Sequence, residues 1–259
     1  MTNILAIAVN TFREAIRKKV FYLILVFTLV LLGVAIAVAS VSLAGRDRIL
    51  ITFGLFAVNV FGLLVVIFIG SQLLADETER KTIYTAISHG VTRSQFILGK
   101  YLGLCLTVLA LTFFMTLLMT AVFYLADVPV DHADMFKAVI LLLLSLFMVS
   151  GVAMLFSSFS TPVLSAVLTL LVWFICNFTL DVENHARYLA DHQDQVVMPI
   201  VLKAIYVAFP NFAQYNQIRA VVYAHEPVEL APLLVLLAVL YTTVYLSLAC
   251  WSFSTKDFE

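Results

Sequence analysis

Six long apolar runs constrain this chain more than any other feature of its sequence. Each can cross the hydrocarbon core of a bilayer as a helix, which takes roughly 20 residues at about 1.5 Å each. Residues 140–149 are apolar on nearly every face, whereas the strands of a membrane β-barrel alternate apolar and polar residues. The sequence therefore predicts an all-α membrane protein with six transmembrane helices. The predicted spans are residues 20–41, 49–75, 98–126, 138–156, 162–180 and 230–253.

Composition and charge limit the function further. Hydrophobic residues make up 63% of the chain and charged residues only 12%, which is not the composition of a water-soluble domain. The net charge of −1 offers no basic face for phosphates, so nucleic acid is not an expected partner. No linker divides the chain, and residues 1–259 are predicted to form one membrane domain.

The distribution of Lys and Arg predicts the orientation of the spans. With the amino terminus inside, nine of these residues fall on the inner side, in clusters beside span ends, and six are scattered on the outer side. We therefore expect a multi-pass protein of the cell (inner, cytoplasmic) membrane with both termini in the cytoplasm.

Residues 1–19 are predicted to form an amphipathic helix in the plane of the inner interface. Leu5, Val9, Phe12 and Ile16 recur at helical spacing, and polar residues occupy the other faces. A plain helical extension of the first span is the alternative interpretation.

A polar segment, residues 76–97, separates the second and third spans. Acids at its start complement the dipole of a helix amino terminus, an apolar ridge follows, and Gly90 can end the helix in a left-handed conformation. This pattern fits either a surface for a soluble partner or a capped connector packed on its own bundle. The acids are Asp76, Glu77 and Glu79, and the ridge is Ile83, Tyr84 and Ile87.

This segment resembles the corresponding loop of type-2 ATP-binding-cassette (ABC) transporter permeases. That loop typically has an acid, Gly-Thr, Ser-Arg-Pro-Val-Ser-Arg and then Gly-Lys at the third span. Here Lys81-Thr82 stands for Gly-Thr, His89-Gly90 for Arg-Pro, and Gly99-Lys100 begins the final motif. Residues 10–22 and 209–216 also resemble the entry helix and the last outer segment of the simple six-span permeases, such as that of the nitrous-oxide-reductase maturation transporter.

The resemblance implies a division of labour between membrane and cytoplasm. A coupling helix within 76–97 would dock on a cytoplasmic ABC ATPase, with two ATPase copies and two permease subunits, here two copies of this chain, in the working unit. ATP and Mg²⁺ would be bound by the ATPase, while this chain would bind no cofactor and would not itself be an enzyme. The contacts implied for the ATPase are Glu77, Arg80, Thr82, Ile83, Tyr84, Ile87, Ser88, His89 and Arg93.

The sequence also lacks the phosphate-binding loop that would allow this chain to bind ATP itself. The motif of a phosphate-binding loop has two glycines five positions apart. The second glycine is followed by Lys and then by Ser or Thr. Here Tyr101 follows Gly99-Lys100, and Ser94 occupies the position of the required glycine. The chain cannot bind ATP by that route.

Polar residues inside the predicted spans have two interpretations. They line a substrate pathway, or they form hydrogen bonds between helices, since polar groups facing lipid are costly. The residues are Asn59, Gln72, Asn177 and Thr179.

The outer region, residues 181–229, contains a short apolar stretch, 196–209, that cannot span a membrane. Pro199 and Pro210 delimit it, and Asn211 follows. It is predicted either to close the outer mouth of a pathway as a gate helix or to lie on lipid. His185 and His192 stand among acids, but a solvated acidic face explains them better than a metal site.

These observations favour the permease of an ATP-driven exporter. A permease that relays ATPase motion to an outer partner, or anchors it, without transport is the alternative. An ion-coupled secondary transporter is less well supported, because the spans show neither buried ion-coupling acids nor a pseudo-repeat. An intramembrane enzyme would need a nucleophile with its base, and the sequence shows no such motif.

Overall fold

A computed structural model describes residues 2–41, 45–74, 92–177, 210–223 and 231–254. Every regular element within these ranges is helical. In chain order they are α1 (Thr2–Arg17), α2 (Lys19–Val41), α3 (Arg46–Val65, continued by a π-helix Val66–Gly70), α4 (Arg93–Leu125), α5 (His132–Phe159), α6 (Pro162–Asn177), a 3-10 helix (Phe212–Gln214), α7 (Ile218–Tyr223) and α8 (Pro232–Ser254).

Five of the described helices are long and apolar enough to cross a membrane. They are α2, α3 with its π-helix, α4, α5 and α8, and each coincides with a predicted span. The predicted fifth span is described only as far as Asn177, as the 16-residue helix α6. At about 1.5 Å per residue α6 covers about 24 Å, less than a hydrocarbon core of about 30 Å. The structure therefore confirms an all-helical chain with five helices able to span a membrane in its described part, and the six-span layout stays a prediction.

Helix α4 begins at Arg93, before the predicted start of the third span at residue 98. The reason is a capping box: the Thr92 side chain accepts from Gln95 N, and the Gln95 side chain accepts from Thr92 N, each at 3.3 Å. Residues 93–97 were predicted to belong to the polar segment and are instead the first residues of α4.

Helix α5 likewise begins before its predicted start at residue 138. Asp131 is its N-cap, and the carboxylate accepts from Ala133 N at 2.8 Å. The added turns are polar and carry the ion pair between Lys137 and Asp134 at 2.8 Å.

Helices α3 and α5 are the most buried of the five long helices. Small residues allow α3 to approach its neighbours closely. A Cβ added at Gly54 would lie 2.6 Å from Met119 Sδ on α4, and one added at Gly62 would lie 2.5 Å from Leu146 Cδ1 on α5. Helix α5 also packs against α4, α6 and α8, so it is the centre of the bundle.

The helices at the periphery expose large apolar side chains. Phe27 on α2, Leu171 on α6 and Trp251 on α8 are all more than half exposed. Such continuous apolar surface is not stable in water and is typical of surfaces that face lipid or another subunit.

Candidate transmission site

Of the predicted coupling segment, residues 76–97, the part from 76 to 91 lies within residues 75–91, which are outside the described residues. Its proposed ATPase contacts Glu77, Arg80, Thr82, Ile83, Tyr84, Ile87, Ser88 and His89 therefore stay predictions. The structure does describe both flanks, residues 71–74 and 92–93. We call these flanks, with the side chains that hold them, the candidate transmission site.

The upstream flank follows a change in the helical ladder of α3. Residues Val66–Gly70 form a π-helix, a geometry that is rare and frequently found at functional sites. The backbone then tightens, because Ser71 N donates to Ile67 O at 3.2 Å and Leu73 N donates to Gly70 O at 3.3 Å. The second span was predicted as one regular run to residue 75, whereas the helix ends at Gly70 and a turn follows.

A serine from α5 completes this turn. Ser157 Oγ donates to Ser71 O at 3.0 Å, and Leu74 N donates to Ser157 Oγ at 3.2 Å. Ser157 is only 3% exposed. One hydroxyl thus pairs with two backbone groups at a helix end, where the helix itself supplies no partners for its last carbonyls.

Gln72, one of the predicted polar span residues, contacts the junction between α1 and α2. Lys18 separates these two helices, and its Nζ donates to Gln72 Oε1 at 3.2 Å. This is an interhelical hydrogen bond, one of the two roles that the sequence left open. It ties the upstream flank to the beginning of the first long helix.

Arg93 is the one predicted ATPase contact that the structure describes. Its Nη1 donates to Phe253 O at 3.3 Å and to Ser254 O at 3.1 Å. These carbonyls are at the carboxyl end of α8, where a cation complements the negative end of the helix dipole. The structure therefore places Arg93 in a contact within the chain, joining the start of α4 to the end of α8.

Helix α1 packs on the first turns of α4 through two glycines. A Cβ added at Gly99 would lie 2.8 Å from Ile7 Cβ, and one added at Gly103 would lie 2.5 Å from Thr11 Cβ and 2.7 Å from Ala8 O. Distances that short leave no room for a side chain. Gly99 and Gly103 are four positions apart and form a small-xxx-small pair, and close helix contact is what such pairs permit.

Three sectors divide the circumference of α1. One is buried and small, with Ala8, Thr11 and Ala15, and faces the bundle. The second is the predicted apolar stripe, on which Leu5 is 62% exposed. The third is polar and includes Arg13, which is also exposed. A helix with an exposed apolar sector beside a cationic one is suited to the interface between lipid and water.

Lys100 is a charged residue inside α4 and is only 4% exposed. Its Nζ lies 5.7 Å from the centre of the Phe96 ring, in the geometry of a cation–π contact. Lys100 thus lies within a helix and is covered by neighbouring side chains, whereas the lysine of a phosphate-binding loop follows a glycine-rich loop.

The remaining polar span residues differ in their contacts. Asn177 Nδ2 donates to Trp173 O at 2.8 Å, a bond within α6. Asn59, near the middle of α3, is only 8% exposed, and no described residue forms a hydrogen bond with its side chain. Thr179 lies outside the described residues. Among the described residues of this set, Asn59 is therefore the one whose hydrogen-bonding partner the structure does not identify.

At the other end of the bundle, the chain that precedes α8 is fixed by polar contacts. Asn211 Oδ1 accepts from Ala213 N at 3.1 Å and so begins the 3-10 helix, with Pro210 buried beside it. Tyr215 is 2% exposed, and its hydroxyl donates to Leu234 O at 2.8 Å. Burial raises the pKa of Tyr215 to about 12. The predicted gate helix 196–209, with Pro199, lies outside the described residues.

Across the ranges that the structure describes, no group of three or more His, Cys, Asp and Glu is placed to hold a metal ion. His185 and His192 lie outside those ranges. The interpretation of these two histidines as part of a solvated acidic face therefore stays a prediction.

Sequence reasoning missed the contacts of three of these residues. Ser157 and Tyr215 act through partners distant in the chain, and no local pattern marks them. Lys100 was recognised as part of the Gly99-Lys100 motif, but its burial against Phe96 was not predicted. The capping box at Thr92 did have a visible signature, because Thr-Arg-Ser-Gln fits the spacing of that motif.

The family model described as ABC-2 family transporter protein matches residues 5–258, nearly the whole chain. The match includes both flanks of the transmission site and all the helices from α2 to α8. No curated protein matches the chain.

Proposed function

The chain belongs to the ABC-2 transporter family, whose members are membrane permeases that work with a cytoplasmic ABC ATPase, and we propose that it serves an exporter. In this proposal residues 75–91 dock on the ATPase, and the helices on either side carry the resulting movement to the opposite end of the bundle. The family match supports the permease class. Export as the direction, and the docking residues, are our proposal.

The observation that carries the proposal is how firmly the flanks of residues 75–91 are joined to the rest of the bundle. Upstream, residues 71–74 bond to Ser157 and Lys18; downstream, Arg93 bonds to the end of α8. Helix α1 packs on α4 directly after that flank. A push on residues 75–91 therefore acts on four other helices at once, as rigid-body transmission requires.

The docking part of the proposal is tested by exchanging Ile83 and Ile87 for Asp. The two residues are the centre of the predicted apolar ridge, and burying a carboxylate in an apolar contact is strongly unfavourable. We expect the double variant to insert into the membrane at normal levels but to lose co-purification with its partner ATPase.

Leu125→Asp is the matched control. Leu125 is 83% exposed at the far end of α4, so it also places an acid at an accessible apolar position. The control should retain the ATPase. An Ile83→Asp/Ile87→Asp complex that purified intact would show that residues 75–91 do not form the docking surface.

We also propose that ATP and Mg²⁺ bind only to the ATPase. The supporting observations are the sequence around Lys100 and its position within α4, where it contacts Phe96. Purified chain without the ATPase should bind no fluorescent ATP analogue in the presence of Mg²⁺, whereas the complex should bind it.

The assembly that we propose contains two copies of this chain and two ATPases. In a single copy, α2, α6 and α8 leave large apolar side chains exposed. A second copy could cover part of this surface, and lipid the rest. Mass measurement of the complex in lipid nanodiscs tests the stoichiometry.

Reporter fusions at each end of the chain test our proposal that both termini lie on the cytoplasmic side of the inner membrane.

The second candidate function is a permease that transports nothing and instead relays ATPase motion to an outer partner or anchors that partner. Asn59 favours transport over this alternative, because its amide lies in mid-span, forms no hydrogen bond with any described residue and is not fully enclosed, which suits a contact with a passing ligand. ATPase activity of the reconstituted complex, measured with candidate cargoes, separates the two. Stimulation by a cargo supports transport, and a complex that no cargo stimulates supports the relay.

A further inference from the structure

We propose that Ser157 is the positioning residue through which movement of residues 75–91 passes from α3 into α5. The inference rests on the proposed docking of an ATPase on residues 75–91. It concerns the next step, which is how a displacement at that docking segment reaches the centre of the bundle.

The end of α3 departs from regular α-helical geometry. The π-helix Val66–Gly70 interrupts the regular ladder just before the turn that leads into residues 75–91. A π-turn contains a wider ring of backbone bonds than an α-turn, and such interruptions are places where helices bend. The turn at 71–74 is therefore separated from the main body of α3 by a break in the α-helical ladder, at which we expect bending.

That turn is attached to a second helix. Ser157 Oγ binds Ser71 O and Leu74 N at 3.0 and 3.2 Å, so it spans both ends of the turn. The attachment is to α5, and it lies on the far side of the π-helix from the body of α3. Displacement of the turn should therefore move α5 through Ser157 more directly than it moves the body of α3.

Helix α5 is central in the bundle. It packs against α4, α6 and α8, and its contact with α8 is among the most extensive in the described structure. Gly70 adds a close approach at the same level, since a Cβ there would lie 3.0 Å from Ala153 Cβ. A shift at Ser157 would thus reach most of the long helices.

Ser157 has a neighbour that provides a matched control. Ser158 is also buried, but its Oγ donates to Leu155 O at 2.6 Å, a bond within α5. Replacing either serine with Ala removes one buried hydroxyl from the same turn of the same helix. Only Ser157→Ala removes a contact between α5 and α3.

The experiment uses the full chain in complex with its ATPase, reconstituted in lipid nanodiscs. Hydrogen–deuterium exchange of α5 is compared without nucleotide and with ATP plus vanadate, which holds ABC ATPases closed. In the wild type and in Ser158→Ala we expect trapping to change exchange in both the 66–74 region and α5. In Ser157→Ala we expect the 66–74 response to remain and the α5 response to be lost.

Co-purification and the thermal midpoint provide the readouts that a merely structural role would alter. Co-purification should be similar for the two variants, whereas the thermal midpoint should fall further for Ser157→Ala, because Ser157 Oγ pairs with two backbone groups and Ser158 Oγ with one. Should Ser157→Ala fail to fold, Ser157→Thr is the second variant, because it keeps a hydroxyl at this position and is expected to retain the α5 response if the bonds to Ser71 O and Leu74 N carry the movement. An α5 response that persists in Ser157→Ala overturns the inference while leaving ATPase docking intact. A wild-type chain that does not bind the ATPase would instead overturn the proposed function.

Discussion

Arg93 and Ser254 lie 161 positions apart in the chain, yet Arg93 Nη1 donates to Ser254 O at 3.1 Å. The bond joins the first residue of α4 to the last residue of α8. It stands beside the cap of α4, where Thr92 and Gln95 pair. The helix that receives the chain from residues 75–91 is thus fixed both locally and to the final span.

Replacing Arg93 with Gln should destabilise the bundle by about 1 kcal/mol, because the charged donor to two carbonyls and its favourable interaction with the α8 dipole are lost. The thermal midpoint of unfolding in detergent, followed by the fluorescence of Trp173 and Trp251, measures the effect. Arg13→Gln is the control, since Arg13 is exposed on the polar sector of α1. A lower midpoint for Arg13→Gln than for Arg93→Gln would contradict this account.

The contact between α1 and α4 predicts a difference between glycines. Gly103→Ala would force a Cβ to within 2.5 Å of Thr11 Cβ, whereas nothing lies within 4 Å of a Cβ at Gly33 on α2. We expect Gly103→Ala to cost about 1–3 kcal/mol by overpacking, and Gly33→Ala to gain up to about 1 kcal/mol through helix propensity. Thermal unfolding gives the sign of each. Equal effects at the two glycines would mean that α1 does not hold the position described.

The spans could be predicted from the sequence because span length and apolarity are local properties. The helix ends at Thr92 and Asp131 were also within reach, since capping residues leave local patterns. The bond from Ser157 to Ser71 was not, because a serine near a span end has no feature that identifies a partner 86 positions away.

Helix α1 shows the same limit on a smaller scale. Its large apolar residues were recognised by their spacing, and Leu5 and Val9 are indeed on an exposed side. The side that packs on α4 includes small residues such as Ala8 beside Ile7, and small residues contribute little to a hydrophobic pattern. What allows that packing is close approach to Gly99 and Gly103, and close approach depends on the partner helix.

Tyr215 predicts a dependence of stability on pH. Its pKa is raised by burial to about 12, against about 10 in an unfolded chain, so the folded state keeps the proton to higher pH. The contribution is complete below pH 10 and is lost as the pH rises from about 10 to about 12. Tyr215→Phe should cost about 1 kcal/mol at pH 8, where the bond to Leu234 O is lost. Chemical unfolding at pH 8 and pH 11 should show this deficit shrinking, and a deficit that grew at pH 11 would have the wrong sign.

Asn59 predicts a separation between stability and activity. Asn59 lies in mid-span, and no described residue forms a hydrogen bond with its side chain, so Asn59→Leu breaks no described bond and should leave the thermal midpoint unchanged or higher. Asn177→Leu is the matched comparison, because it loses the bond to Trp173 O and should lower the midpoint. If Asn59 contacts the transported molecule, cargo-stimulated ATPase activity of the complex falls in Asn59→Leu despite its stability. A variant that is both stable and fully stimulated would remove Asn59 from the pathway.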